Sequence, residues 1–553
     1  MHTLRISRIV LVLAAGCFMA MAKPARLVPY EPEFYRISEA VRTPHTPWGK
    51  PLPGSRLRVL CIVPWGCQRH VVELAQRLDM DYEVFFTTRR SGLGYLDENV
   101  KSWAWVEGLF QEEREEALHR VLPGNWDAYV VGCDWTALPL WARHDIARAV
   151  NAGAGLLIGY RQGEPYLNRM LGVAPMADSG DLWAGLPLAD FANLGSFDAA
   201  NPLASLGEFG EGRVGMLRYV VGGSSRECFT PNETAPASEL DYDIYQALAI
   251  RALLWAARRE LPLQPETISP AVWDVGEPPE TLAVSVYVGK PLWRAVAEVV
   301  WRDREGRVLA RTEKLQRIPE GRSEVSLPVP VLPTGRAYAC LRVLADGKVA
   351  GFACLPVDVL AAVDLAELRL DQPFYAAAAP LTGAVELTGP APAGAVMDLR
   401  VTNAFGYLVA RQSLPVPAGA ATVPVSLALP PPLGVWHELE VGLRIGERVA
   451  AVRRAEVFRE WRRPADQFSL VAWYGPGNES YYDRLVNQAF RAAGVDTVYP
   501  SHVWGETAAR RSIESVRAGL TVLPYIGDLR PPGNANPPPN QREPVVTDPA
   551  YQT

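Results

Sequence analysis

The hexapeptide Gly306-Arg307-Val308-Leu309-Ala310-Arg311 returns about one hundred positions later as Gly406-Tyr407-Leu408-Val409-Ala410-Arg411. Gly335 finds its counterpart in Gly434, and Val349-Ala350 in Val449-Ala450. A chain that writes one plan twice builds one unit twice. Inside the repeat apolar residues alternate, as over Val296 to Arg302, and turn signals such as Asp303-Arg304-Glu305-Gly306 bring the chain back. A period of two means strands with one face inward. Two tandem β-sandwiches are therefore expected, at 266–362 and 363–462, meeting near Val363-Asp364.

In front of the repeat the pattern is α/β. Residues 58–63, 82–86, 127–132, 155–159 and 214–219 read as buried strands. Residues 69–78 and 139–152 read as helices, the second stopped by Gly153. A long helix over 241–259 presents an apolar stripe of Tyr245, Leu248, Ala252 and Trp255. These elements predict a doubly wound sheet over 58–262, expected to fold on its own. Asp134-Trp135, Arg161 and Gln162 fall at the carboxyl edge of such a sheet, where open α/β sheets bind ligands. Loop packing explains them equally well. Residues 23–56 are Pro-rich and without period, and read as an extended lead-in.

Behind the repeat, over 466–553, the pattern is α/β again. Phe468 to Trp473 reads as a buried strand, and Tyr481 to Ala493 as a helix with Tyr482, Leu485, Ala489 and Ala492 on one face. Thr497 to Pro500, Glu506 to Ala518 and Leu520 to Tyr525 continue as strand, helix and strand, with Gly494 and Gly519 as helix stops. That order is a βαβαβ unit on a parallel sheet. Asp548-Pro549 reads as the start of a third helix that Thr553 leaves no room to finish, so the chain is expected to be the N-terminal piece of a longer protein.

Four stretches carry a resemblance: Val471-Ala472-Trp473, Gly494-Val495-Asp496-Thr497-Val498, Pro524-Tyr525-Ile526 and Thr547-Asp548-Pro549-Ala550-Tyr551. Together they resemble the opening of the (β/α)8 barrel in large retaining glycoside hydrolases, including β-galactosidase-like enzymes that also carry an amidotransferase-like domain. The front domain is in turn similar to the class I glutamine amidotransferase fold. That fold places a nucleophile on the turn after a strand, here Ile158-Gly159-Tyr160-Arg161-Gln162-Gly163. Tyr160 stands where a Cys would be, and after it the next histidine is His437. A nucleophile without an adjacent base is not activated, so this domain is expected to be structural or a binding module without glutaminase activity.

In a (β/α)8 barrel the site lies at the carboxyl ends of the strands. The resemblance thus implies a rim of Trp473, His502, Trp504, Tyr525 and Asp528. Indole faces stack on sugar rings, and an imidazole and a carboxylate exchange hydrogen bonds with hydroxyls. Each of these residues is explained as readily by loop packing. Retaining glycosidases need two carboxyl groups about 5–5.5 Å apart. The resemblance puts them at the ends of strands four and seven, beyond the three strands written here. Glu506 and Glu514 fall on a helix and are not candidates.

Arg5 and Arg8, the apolar run Ile9 to Met21 and Ala20-Met21-Ala22 read as a signal peptide over 1–22. The protein is therefore expected to be exported: periplasmic, cell-surface or secreted. Ala15-Gly16-Cys17 is a weak match to a lipid-anchor site. No segment is long and apolar enough to be a membrane span. A net charge of -6 supplies no basic field for nucleic acid. Seven cysteines show no metal spacing, and no cofactor is called for. Cys340 and Cys354 flank a hairpin turn at Asp346-Gly347, which leaves a cross-strand disulfide or two buried thiols. Two functions stand: the N-terminal part of an exported glycoside hydrolase acting on poly- or oligosaccharides, or a non-catalytic exported carbohydrate-binding or scaffold protein. Beta-sandwich modules suit either, as spacers or as carbohydrate-binding surfaces.

Overall fold

The computed structural model describes residues 42–64, 67–87, 111–133, 138–159, 181–191, 203–219, 238–461, 468–474, 480–500 and 506–523, with the single residues 39, 135, 194 and 229. The front sheet is open and mostly parallel. Its strands are β1 (Leu57–Pro64), β2 (Met80–Thr87), β3 (Ala128–Val131), β4 (Gly155–Ile158), β5 (Ala204–Phe209) and β6 (Gly212–Leu217). They lie in the order β2-β1-β3-β4-β6-β5, and only β5 runs antiparallel to its neighbour. Helices α1 (Gln68–Arg77), α2 (Gln111–Val121), α3 (Leu140–Asn151) and α4 (Glu239–Ala256) complete the unit. Alternate strand residues feed two separate cores. Val59, Cys61 and Val130 pack with α1 and α4, while Leu60, Ile62 and Tyr129 pack with α2 and α3. A sheet covered on both faces reads as continuous apolar runs, which is why β1, β3 and β4 are buried along nearly their whole length.

Two expectations need correction here. The lead-in is not wholly extended and unpacked: Thr43, Thr46, Trp48 and Leu52 are buried. Thr46 donates its N–H to the Asp243 carboxylate at 3.0 Å, and the Trp48 indole donates to the Asp243 carbonyl at 3.2 Å. Arg77, fully buried, bridges Glu73 and Asp243 at 2.6 Å each. Burial alone would raise the Glu73 carboxyl, but Arg77 and Arg69, with the Thr43 hydroxyl, outweigh it and hold it below its ordinary value. This network ties lead-in, α1 and α4 together.

The second correction concerns α4. It does not bury one stripe; all its residues except Glu239 and Arg251 are buried. One side meets the sheet, and the other meets Tyr338, Cys340, Val349, Phe352 and Cys354 of the first sandwich, which belong to the same core. Arg251 reaches across to the Phe352 carbonyl at 2.6 Å. The expected independent folding of 58–262 is therefore not what the packing favours: excision would strip an apolar helix face. Ser238 caps α4, accepting from the Asp241 N–H, while the Asp241 side chain accepts in return from the Ser238 N–H.

The first sandwich pairs β11 (Val308–Ile318), β10 (Leu292–Arg302), β13 (Gly335–Ala345), β14 (Lys348–Leu360) and β8 (Val272–Asp274) in one sheet. Its other sheet is β12 (Gly321–Pro328), β9 (Thr281–Val288) and β7 (Leu263–Ser269). The second sandwich repeats this strand for strand. Its large sheet is β19 (Leu408–Pro415), β18 (Val396–Asn403), β21 (Trp436–Ile445), β22 (Arg448–Arg459) and β16 (Phe374–Tyr375); its small one is β20 (Thr422–Leu427), β17 (Leu381–Leu387) and β15 (Leu365–Leu370). Even the register shifts agree, at Val343/Leu344 and Leu443/Arg444. Gly306 and Gly406 hold φ of +89° and +77° at equivalent turns, a region open to glycine at little cost.

The last described segment is parallel: β23 (Val471–Tyr474), α5 (Ser480–Ala492), β24 (Thr497–Pro500), α6 (Glu506–Arg517) and β25 (Thr521–Val522), in sheet order β23-β24-β25. Gly494 and Gly519 end the two helices with φ of +88° and +83°. The Asp496 carboxylate accepts from the Ser469 hydroxyl at 2.7 Å and from the Leu470 N–H at 3.1 Å, which fixes β24 against β23 at their amino ends.

Candidate functional site

Parallel strands place their carboxyl ends on one edge, and in β23 and β24 that edge holds Trp473, Tyr474, Tyr499 and Pro500. Trp473 pairs in register with Tyr499, and Tyr474 with Pro500. The backbone thus sets Trp473 one residue from the carboxyl end of β23. His502, Trp504, Tyr525 and Asp528 lie outside the described residues, as do Tyr160, Asp134, Arg161 and Gln162. Trp135 is fully buried in the core beneath α3 and serves packing. Among the described residues no cluster of three or more His, Cys, Asp or Glu side chains suits a metal ion, and no helix is long and apolar enough to cross a membrane.

A second feature was not legible in the sequence. A cleft of about 1110 Å³ opens where the front domain, both sandwiches and the last segment meet. Its walls carry Glu239 and Asp241 of α4, Arg304 and Arg307 of the first sandwich, Glu438 and Glu456 of the second, and Arg484 and Arg517 of α5 and α6. Glu438 and Glu456 face each other in register on β21 and β22, an arrangement that invites comparison with a glycosidase carboxylate pair. The electrostatics argue against it. Arg307 holds Glu438 at 2.6 Å, and Arg517 holds Glu456 through two contacts of 2.5 and 2.8 Å. Burial would raise the Glu456 carboxyl, yet Arg517 and the Trp436 indole N–H hold it below its ordinary value. A general acid needs the opposite shift. Arg304 with Asp241 at 2.5 Å and Arg484 with Glu239 at 3.3 Å complete the pattern. The cleft is a seam of ion pairs across domain boundaries. Its residues sit on four units far apart in sequence, so the one sequence signal was the charge on outward positions of β21 and β22.

No family model matches the chain, and no curated protein matches it. Among solved structures, a glycosyl hydrolase family 2 member from Bacteroides cellulosilyticus is 13% identical, with 44% of this chain and 39% of that one covered and a TM-score of 0.21. A β-glucuronidase from Parabacteroides merdae is 8% identical over 44% of this chain and 38% of its own, with a TM-score of 0.20. The adhesin InvE of Yersinia pseudotuberculosis is 15% identical over 36% of this chain and 59% of its own, with a TM-score of 0.16. The aligned region thus covers less than two thirds of each of these chains. Likenesses at this level are partial and carry no argument about fold or activity.

Proposed function

We propose that this chain belongs to an exported glycoside hydrolase acting on poly- or oligosaccharides. The observation that carries the reading is the parallel β23-α5-β24-α6-β25 run placed directly after two β-sandwiches, with Trp473 near the carboxyl end of its first strand. A (β/α)8 enzyme begins this way and works at that edge. Trp473, Trp504 and Tyr525 offer aromatic faces to sugar rings; His502 and Asp528 offer hydrogen bonds to hydroxyls. The catalytic carboxylates belong to strands four and seven of the barrel, so these residues position a sugar and do not cleave it. The front domain, similar in sequence pattern to amidotransferases but with Tyr160 at the turn, acts as a structural or binding module.

The test is a glycan-binding screen with the 553-residue chain, followed by titration calorimetry and assays on aryl glycosides. Binding without turnover is expected, weakened about tenfold or more by Trp473→Ala, as loss of one stacking face should do. Failure to bind any glycan would overturn the reading. So would turnover that disappears when a carboxylate within 466–553 is changed. Glycan binding by the chain when joined to a complete barrel, without hydrolysis, would favour a carbohydrate-binding scaffold instead.

A further inference from the structure

Cys340 and Cys354 stand directly opposite each other on the antiparallel strands β13 and β14. Facing residues in such a ladder come in two kinds. One kind exchanges backbone hydrogen bonds; the other does not, and brings its Cα atoms closer, to about 4.5 Å rather than about 5.5 Å. Cys354 shows which kind this is. Its N–H points away from β13 and donates to the Gly185 carbonyl at 2.8 Å. A strand residue aims its N–H and C=O to the same side, so Cys354 shares no backbone bond with Cys340. The pair is of the close kind, inside the Cα range of about 4.4–6.8 Å that disulfides occupy.

The side chains agree. Both thiols are buried, and their Sγ atoms lie 3.8 Å apart. Closing that gap to a bond needs rotation about side-chain torsions and no strand movement. The hairpin is fixed nearby by Asp346-Gly347, both with positive φ (50° and 73°), as a two-residue turn of the I′ type requires. The repeat supplies an independent comparison. The register pair of the second sandwich equivalent to Cys340–Cys354 is Glu440–Arg454, joined side chain to side chain at 2.7 Å. One position of the shared plan thus brings cross-strand side chains into contact in both copies.

We propose that Cys340 and Cys354 are a disulfide-forming pair that staples β13 to β14. A thiolate of one attacks a disulfide of the glutathione class, giving a mixed disulfide and one free thiol. The second cysteine then displaces the other glutathione. Two protein thiols lose two electrons and two protons, and one small-molecule disulfide is reduced to two thiols. Because α4 covers both sulfurs, the exchange takes place before that helix docks, and the docked helix afterwards shields the bond from reductant.

The test refolds the full chain in glutathione redox buffer and, separately, in reductant. Free thiols are then alkylated under denaturing conditions, and unreduced peptides are mapped by mass spectrometry. The expected product is one linked peptide joining 340 to 354, about 2 Da lighter than the two reduced peptides, with alkylation at both sites down about tenfold or more. Cys340→Ser and, separately, Cys354→Ser should return the remaining partner to full alkylation, with folding checked by circular dichroism. Full alkylation of both residues in the chain refolded with oxidised glutathione would overturn the proposal. So would a link from either to Cys17, Cys61, Cys67, Cys133 or Cys228.

Discussion

The outer face of β13 and β14 in the first sandwich carries Tyr338, Cys340, Phe352 and Cys354; the same places in the second hold Glu438, Glu440, Val452 and Arg454. Strand order, turns and register shifts are shared. The inner faces are shared in kind as well, each an apolar core of alternate strand residues. What differs is what lies outside. The apolar face is covered by α4 and becomes part of the front domain's core, while the charged face borders a polar seam against α6. One scaffold therefore makes two kinds of joint. The first is held mainly by hydrophobic burial, with the Arg304–Asp241 ion pair at its edge; the second is held mainly by ion pairs that water and salt can compete for.

The sharpest way to break this comparison is to truncate equivalent residues. Phe352 is buried against Trp48, with ring centroids 5.4 Å apart. Phe352→Ala should cost about 3–5 kcal/mol and lower the unfolding midpoint of front domain and first sandwich together. Val452→Ala, on the partly exposed face, should cost about 1 kcal/mol or less. Equal costs in denaturant titrations would mean that the two joints do not differ as described.

Acid should separate the sandwiches next. His437 is buried in the second one, and burial, then the Arg459 charge, lowers its pKa to about 4 from an ordinary 6.5. Above pH 6.5 the ring is neutral in folded and unfolded chains alike. Between 6.5 and 4 the unfolded chain takes up a proton that the folded one refuses, so stability falls as pH falls through that window. His437→Leu should flatten the decline in midpoint between pH 6.5 and 4. A decline of unchanged steepness in the variant would sink the assignment.

Smaller effects probe the charged face itself. Glu440→Ala breaks the cross-strand pair with Arg454 and should cost about 0.2–1 kcal/mol, less at high salt. Arg517→Ala removes the contact from α6 to Glu456. Both side chains are more than a third exposed, so the loss should be about 0.5 kcal/mol or below, read as earlier protease cleavage of the last segment at low salt. A salt-independent loss of several kcal/mol would place that joint in the same class as the first.

Much of this architecture was written locally. The hundred-residue echo from Gly306 to Gly406, the alternation along Val296 to Arg302 and the glycine stops at 494 and 519 each depend on near neighbours in the chain, where period and turn chemistry act. The sequence by itself determined that there would be a parallel sheet in front, two copies of a β unit, and a second parallel run behind. It determined which end of β23 Trp473 occupies in the same way, since strand direction alone sets that edge. Only the tertiary structure decided what each outer face would meet. Helix α4 reads as one apolar stripe over Tyr245, Leu248, Ala252 and Trp255, yet it is buried on both sides because residues a hundred positions away return to cover it. The Pro-rich lead-in carries no period, yet Trp48 is fully buried because Asp243 and Phe352 supply its partners. Arginines and carboxylates become a seam because four units converge on them. Contacts of that range leave no periodic trace in the chain, since each partner's local pattern is set by its own element.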